Sequence, residues 1–106
     1  LGEWNLVQAT TISDNSTYPI PSGFQKLTIN SDGTFIVEME GLQNSGTWTS
    51  TETILNIIYT LVQLEGVEPN IEYNYPYSIV SDILTITAAW DFEGSEHPAY
   101  LVYERL

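Results

Sequence analysis

The stretch Leu27-Thr28-Ile29-Asn30-Ser31-Asp32-Gly33-Thr34-Phe35-Ile36-Val37-Glu38-Met39-Glu40 decides the fold class. On its first arm Leu27 and Ile29 share one face, while Lys26 and Thr28 share the other. On its second arm Phe35, Val37 and Met39 alternate with Thr34, Ile36, Glu38 and Glu40. A period of two places alternate side chains on opposite faces of a strand. Between the arms, Ser31-Asp32-Gly33 is a tight-turn signature, because glycine accepts the positive φ that such turns demand. The stretch therefore reads as an antiparallel hairpin with one face turned to a core.

The same pattern recurs outward in both directions. Strands are expected over Glu3–Thr10, Phe24–Asn30, Thr34–Glu40, Gly46–Ser50, Thr53–Val62, Ile71–Val80, Ile83–Asp91 and Ala99–Leu106. About eight short strands at this spacing suit a sandwich or barrel. Ile54, Leu55, Ile57, Ile58, Leu61 and Val62 also fit a helical stripe, but the run is rich in Ile, Thr and Tyr and lacks a cap, which favours strand. The expected class is all-β, an eight-stranded antiparallel up-and-down barrel forming one domain over residues 1–106.

Turn chemistry sets the expected topology. Ser31-Asp32-Gly33, Ser50-Thr51-Glu52 and Ser81-Asp82 read as tight. Thr11–Gly23, Gly41–Ser45, Glu65–Asn70 and Phe92–Pro98 read as longer connections. Tight and long connections alternate, so in a meander all the long ones gather at one end. A closed bottom and a loop-rimmed top describe a cup.

Composition excludes several function classes. Fourteen acidic residues face only Lys26 and Arg105, a formal net charge of −12. Nucleic-acid surfaces need clustered cations, so DNA and RNA are not expected partners, and anionic membrane surfaces are disfavoured for the same reason. There is no cysteine, which removes disulfides, thiolate nucleophiles and Cys-based zinc sites. No apolar run approaches the roughly 18 residues of a membrane-spanning helix. A hydrophobic fraction of 42% argues against disorder. No cofactor is implied.

Residues with chemistry to offer are mostly carboxylates. Asp91, Glu93 and Glu96 lie close in sequence, as do Glu65 and Glu68, and so acidic a chain produces such neighbours by chance. Paired-carboxylate catalysis needs two groups held at a defined separation in a cleft, and Asp91–Glu96 lacks the spacing of a known calcium loop. His97, the single histidine, sits beside Pro98 and reads as a loop residue. Asn15-Ser16-Thr17 matches the N-glycosylation acceptor pattern, relevant only in a eukaryotic secretory pathway. No catalytic or metal-binding residues are expected.

The aromatics point further, with three Trp, seven Tyr and three Phe. Tyr73, Tyr75 and Tyr77 fall on one strand face. Tyrosines inside a barrel either line a pocket of mixed character or fill a narrow interior, and both readings stand at this point. A candidate binding rim comprises Tyr18, Tyr73, Tyr75, Trp90 and Phe92. Thr11–Gly23, stiffened by Pro19 and Pro21, is expected to arch over the mouth and aim Tyr18 inward.

Several motifs together resemble a known family. The opening Gly2-Glu3-Trp4 resembles the G-x-W start of lipocalins. Leu27–Phe35, Gly46-Thr47-Trp48 and Leu84-Thr85-Ile86-Thr87 are similar to the short lipocalin-like domains of bacterial envelope proteins and lipoproteins. Tyr103-Glu104-Arg105 resembles the last strand whose arginine packs over the first-strand tryptophan, pairing Arg105 with Trp4. The chain is shorter than full lipocalins and lacks the helix that follows their last strand. The resemblance implies an eight-stranded barrel able to hold a small apolar molecule. It also implies an extracytoplasmic setting (periplasm, cell surface or secreted), with lipid anchoring through a cysteine upstream of residue 1. The other open function is an accessory module of the envelope that presents its loops to a protein or glycan.

Overall fold

The computed structural model describes residues 2–64, 66–92 and 95–106, with side chains for all of these except 90–92, 95 and 96. Nine strands follow one another: β1 (Gly2–Thr11), β2 (Thr17–Pro19), β3 (Gln25–Ile29), β4 (Thr34–Met39), β5 (Leu42–Ser50), β6 (Ile54–Leu61), β7 (Glu72–Val80), β8 (Ile83–Phe92) and β9 (Ser95–Arg105). Sequence neighbours from β3 to β9 pair antiparallel, and β1 pairs with both β3 and β9. Those contacts close an eight-stranded barrel. The short β2 is an addition to it: β3 takes Gly2–Asn5 of β1, and β2 takes Gln8–Thr10 along the same edge.

Inward positions alternate as the period of two requires. Trp4, Leu6, Leu27, Ile29, Phe35, Leu55, Ile57, Leu84, Ile86, Leu101 and Tyr103 are buried. Their cross-strand partners match: Trp4 faces Leu27 and Arg105, Ile29 faces Phe35, and Leu84 faces Tyr103. The closed end is tied by Trp48, whose Nε1 donates to the Asn30 carbonyl at 2.8 Å.

The tight turns at that end lie where the sequence places them. Gly33 N donates to Asn30 O at 3.1 Å and Thr51 N to Ile54 O at 2.9 Å. The opposite end departs from expectation. β5 begins at Leu42, so Gly41–Ser45 is strand and not loop. Glu40 and Gly41 make a two-residue turn with φ of 53° and 78°, a geometry that favours glycine at its second position. β9 begins at Ser95, which places His97 and Pro98 in a strand opposite Trp90 and Ala89. Only the chain between β1 and β3, which carries β2, and the connection after β6 are long, so the rim of the cup is low on two of its four corners.

Candidate ligand-binding mouth of the barrel

The open end is built around β7. Its sequence Glu72-Tyr73-Asn74-Tyr75-Pro76-Tyr77 alternates strictly, and the burial follows: the three tyrosines are half-buried while Glu72, Asn74 and Pro76 are exposed. Tyr77 turns toward the closed end, donating to the Thr51 carbonyl at 2.7 Å. Tyr73 and Tyr75 stack with ring centroids 6.2 Å apart and planes 6° from parallel. Below them Tyr59 meets Tyr73 edge-on at 6.0 Å and Phe35 edge-on at 6.1 Å. Offset-stacked and edge-to-face pairs suit the aromatic quadrupole. An aromatic column thus runs from the buried Phe35 up to the half-buried Tyr73 and Tyr75.

Two phenols of this column, Tyr59 and Tyr75, are held in the neutral form by burial. Burial pushes the Tyr59 hydroxyl well above the usual phenol range, and the neighbouring Tyr75 adds to the effect. Tyr75 is raised mainly by burial as well. Burial raises Tyr103, which donates to Gln25 Oε1 at 2.6 Å. The Tyr73 oxygen accepts from Glu68 N at 2.9 Å. These groups offer apolar faces with hydrogen-bonding tips.

The connection after β6 folds over this column, held by Asn44. Its Oδ1 accepts from Gln63 N at 2.7 Å and from Leu64 N at 2.8 Å, and Gln43 N donates to Gln63 Oε1 at 2.8 Å. Leu64 is buried, and Val62 and Val67 pack against the core. Asn44 itself is 4% exposed, the buried polar hinge of the cap. Its inward place follows from its pairing with Val37. The sequence hides this role, because Asn44 falls in a polar run that reads as loop.

The first connection does something different from arching over the mouth. Thr17–Pro19 pairs with β1 and lengthens the wall. Tyr18 stands opposite the fully buried Ala9, on the inner side of the sheet, and is half-buried. The Asp14 carboxylate accepts from the Thr11 hydroxyl and from Ser16 N, closing the turn before β2. The open end therefore carries Tyr73 and Tyr75 together on β7, while Tyr18 stands apart from them on the added strand β2. Trp90 and Phe92 occupy the upper backbone of β8, and their side chains lie outside the described residues, as do those of Asp91 and Glu96 and the whole of Glu65, Glu93 and Gly94.

Trp4 and Arg105 lie at the other end. The Arg105 guanidinium sits 4.3 Å from the Trp4 ring centroid and its Nε reaches Asp82 Oδ1 at 3.1 Å. Trp4 is 0% exposed. The pair seals the bottom and stays remote from the mouth.

The barrel wall is interrupted between β7 and β8. Their ladder runs from Val80↔Ile83 to Tyr77↔Ile86 and stops. The cause is Pro76. Tyr77 N donates to Thr53 O, so the backbone groups of Pro76, one residue away, point toward β8. Proline has no N–H to continue the ladder there. Above that point, among the described residues, β8 pairs only with β9, through Phe92↔Ser95. A shallow depression of about 320 Å³ lies on this hairpin, lined by Thr87, Ala88, Ala89, His97 and Pro98. Another, of about 370 Å³, lies beside the β4–β5 turn and includes Lys26, Glu38, Met39 and Leu42. Among the described residues no group of three or more acidic or histidine side chains is placed to hold a metal ion, and no helix is long and apolar enough to cross a membrane.

A closed eight-stranded meander of this size has solved counterparts. A lipocalin-like protein from Bacteroides uniformis superposes with a TM-score of 0.70 at 14% identity, covering 99% of this chain and 96% of that one. The chain has a lipocalin-like fold. An uncharacterized protein from Bacteroides eggerthii also superposes with a TM-score of 0.70, at 10% identity over 100% of this chain and 98% of that one. No family model and no curated protein matches the sequence. The lipocalin-like likeness spans both chains nearly end to end, so the barrel and not one shared hairpin is what they have in common.

Proposed function

We propose that the protein is a non-enzymatic binding protein that takes a small, flat, apolar molecule at the mouth of its barrel. The reading rests on one observation: the stacked, half-buried pair Tyr73 and Tyr75. Below it Leu27, Phe35, Ile57 and Leu84 are at most 2% exposed, so the lower barrel is filled and a guest sits high, against the aromatic pair and under the Asn44-held cap. Rigid aromatic faces with a few hydrogen-bonding tips are the usual lining of such sites. The strong negative charge selects against anionic guests. A secreted or envelope setting, with or without a lipid anchor, is part of the same proposal and rests on the resemblance described above.

A neutral fluorescent probe, N-phenyl-1-naphthylamine, tests it. Its emission is expected to rise and shift to the blue on mixing with the protein, and Tyr75→Ala is expected to abolish that response while circular dichroism keeps the strand signal. An unresponsive wild-type protein, or a response unaffected by Tyr75→Ala and Tyr73→Ala together, contradicts the mouth site. A second reading, an envelope module that engages another polypeptide or a glycan, is favoured by the interrupted wall between β7 and β8.

A further inference from the structure

We infer that the upper edge of β8, from Thr87 to Phe92, is a docking site for an extended, basic polypeptide segment that adds to the sheet as a strand. The inference goes beyond the small-molecule reading: it shares Tyr73 and Tyr75 with the mouth but rests on the main chain of β8.

The first support is backbone chemistry. In the β7–β8 ladder Ser78 pairs with Thr85, so Thr87, Ala89 and Asp91, at the same period, direct their N–H and C=O groups to the side that β7 leaves. Natural sheets protect such edges with lysine, proline or a bulge. β7 carries that protection in Pro76. In β8, Thr87-Ala88-Ala89 carries no charge, no proline and no recorded shift of register against β9. It is the bare side of the gap, and main-chain pairing to a bare edge is an established mode of peptide recognition.

The second support is the pattern of side chains flanking the gap. On the inner side stand Tyr73, Tyr75 and Ala88, all partly buried against the core. On the outer side stand the exposed Glu72, Asn74 and Ala89. An added strand alternates its side chains between those two environments. Apolar residues then point inward beside the tyrosines, and basic ones point outward near Glu72.

Charge selects the source of the strand. Each copy of this chain carries a net charge of −12, so a second copy is repelled and a cationic segment is drawn in. The occupant is therefore another polypeptide, alternating apolar and basic, over about five or six residues, the common strand length.

The test uses a rhodamine-labelled peptide of alternating Lys with Val or Tyr, about eight residues long, read by fluorescence anisotropy. The wild-type protein is expected to bind it. Methylating the peptide's backbone nitrogens at alternate residues, in each of the two registers, is expected to weaken binding at least tenfold in one register and little in the other. Ala89→Pro removes an N–H that the β8–β9 ladder does not use, and is expected to abolish binding with the fold retained. Pro76→Thr restores the donor that lets β7 and β8 zip together, and is expected to weaken binding while raising the melting temperature. Binding that survives both register-specific methylations and Ala89→Pro shows charge attraction alone and overturns the docking site. So does the absence of binding, or a dimer in sedimentation that Ala89→Pro dissolves. Probe uptake is measured on the wild-type protein without peptide, because Tyr73 and Tyr75 border both sites; a naphthylamine response with no anisotropy change overturns the docking site alone, and an anisotropy change with no naphthylamine response overturns the mouth site alone.

Discussion

At Trp4, two physical effects can be separated. Its ring is fully buried beneath the Arg105 guanidinium, yet its Nε1 has no hydrogen-bond partner among the described residues. Removing the side chain leaves a cavity, so Trp4→Ala is expected to cost about 3–5 kcal/mol. Trp4→Phe keeps most of the apolar volume and loses no hydrogen bond, so its cost is expected to be well below that of Ala. Urea denaturation of both variants measures the difference; equal costs would mean that the indole N–H is satisfied after all. Gly46 is the other decisive residue. A Cβ there would lie 2.0 Å from the Ile58 carbonyl oxygen, at the bulge between Ser45 and Gly46. Since backbone cannot yield as a side chain can, Gly46→Ala is expected to destabilise by at least about 1–3 kcal/mol; Gly33→Ala, whose Cβ meets nothing but whose φ is 91°, tests the separate cost of backbone strain. That bulge also explains a misreading: glycine is a poor strand former, so Gly46 looks like the start of a strand when it is an interior point where two backbones approach. The tyrosines add a pH dependence. Tyr59, Tyr75 and Tyr103 are all raised from 10.0 by burial, so the folded state holds protons that the unfolded chain releases. Stability from this source is complete below pH 10 and declines as pH rises beyond it. Ultraviolet titration of tyrosinate is expected to show a delayed fraction that appears together with loss of near-ultraviolet circular dichroism. Full ionisation with the near-ultraviolet signal intact would contradict the burial.

Among the elements, legibility tracked how purely the residues alternate. β3, β4, β7 and the body of β8 carry apolar residues at strict period two, and the sequence reading places them within a residue or two. The stretch around Ile54–Val62 fits two periods, and its Ile and Tyr content rightly decides for strand. Failures cluster where polar residues sit in strands. Leu42-Gln43-Asn44-Ser45 reads as loop because no apolar alternation marks it, although Asn44 faces the interior and pins the cap through two backbone N–H groups. Pro98 suggests a loop and instead occupies a strand, consistent with Ile12 N donating to its carbonyl at 3.0 Å. The break in the wall was not legible, since it depends on which way the Pro76 backbone groups point and hence on register. Within the candidate site, Tyr73 and Tyr75 were readable from period alone. Their stacking and the cap above them were not. A cap held by one amide is testable: Asn44→Leu leaves the Gln63 and Leu64 N–H groups without their acceptor. Hydrogen exchange at those two amides is expected to accelerate while the amide of Leu27 stays protected; unchanged protection at Gln63 and Leu64 would show that Asn44 does not hold the cap.

For the whole molecule, charge and closure act against each other. Closure of β1 onto β9 removes the two outer edges that an open sheet would expose, leaving the upper part of β8 unpaired on its β7 side among the described residues, while fourteen carboxylates against two cations repel across a small surface. Two ion pairs, Lys26 with Glu3 at 2.9 Å and Arg105 with Asp82 at 3.1 Å, engage both cations in half-exposed positions. Such surface pairs contribute little individually. Added salt is therefore expected to raise the melting temperature by screening the excess repulsion, and a flat or falling melting temperature from low salt to about 0.5 M would contradict that balance. The acidity also directs binding toward neutral or cationic guests, as both proposed sites require. An exposed apolar patch at the closed end, formed by Ile79, Val80 and Ile83, is the competing place for an apolar molecule to settle. Nuclear Overhauser effects between bound N-phenyl-1-naphthylamine and the assigned protein distinguish the two ends directly. The account predicts contacts to the Tyr73 and Tyr75 ring protons and the Ala88 methyl; contacts confined to Val80 and Ile83, with none at the mouth, would contradict it.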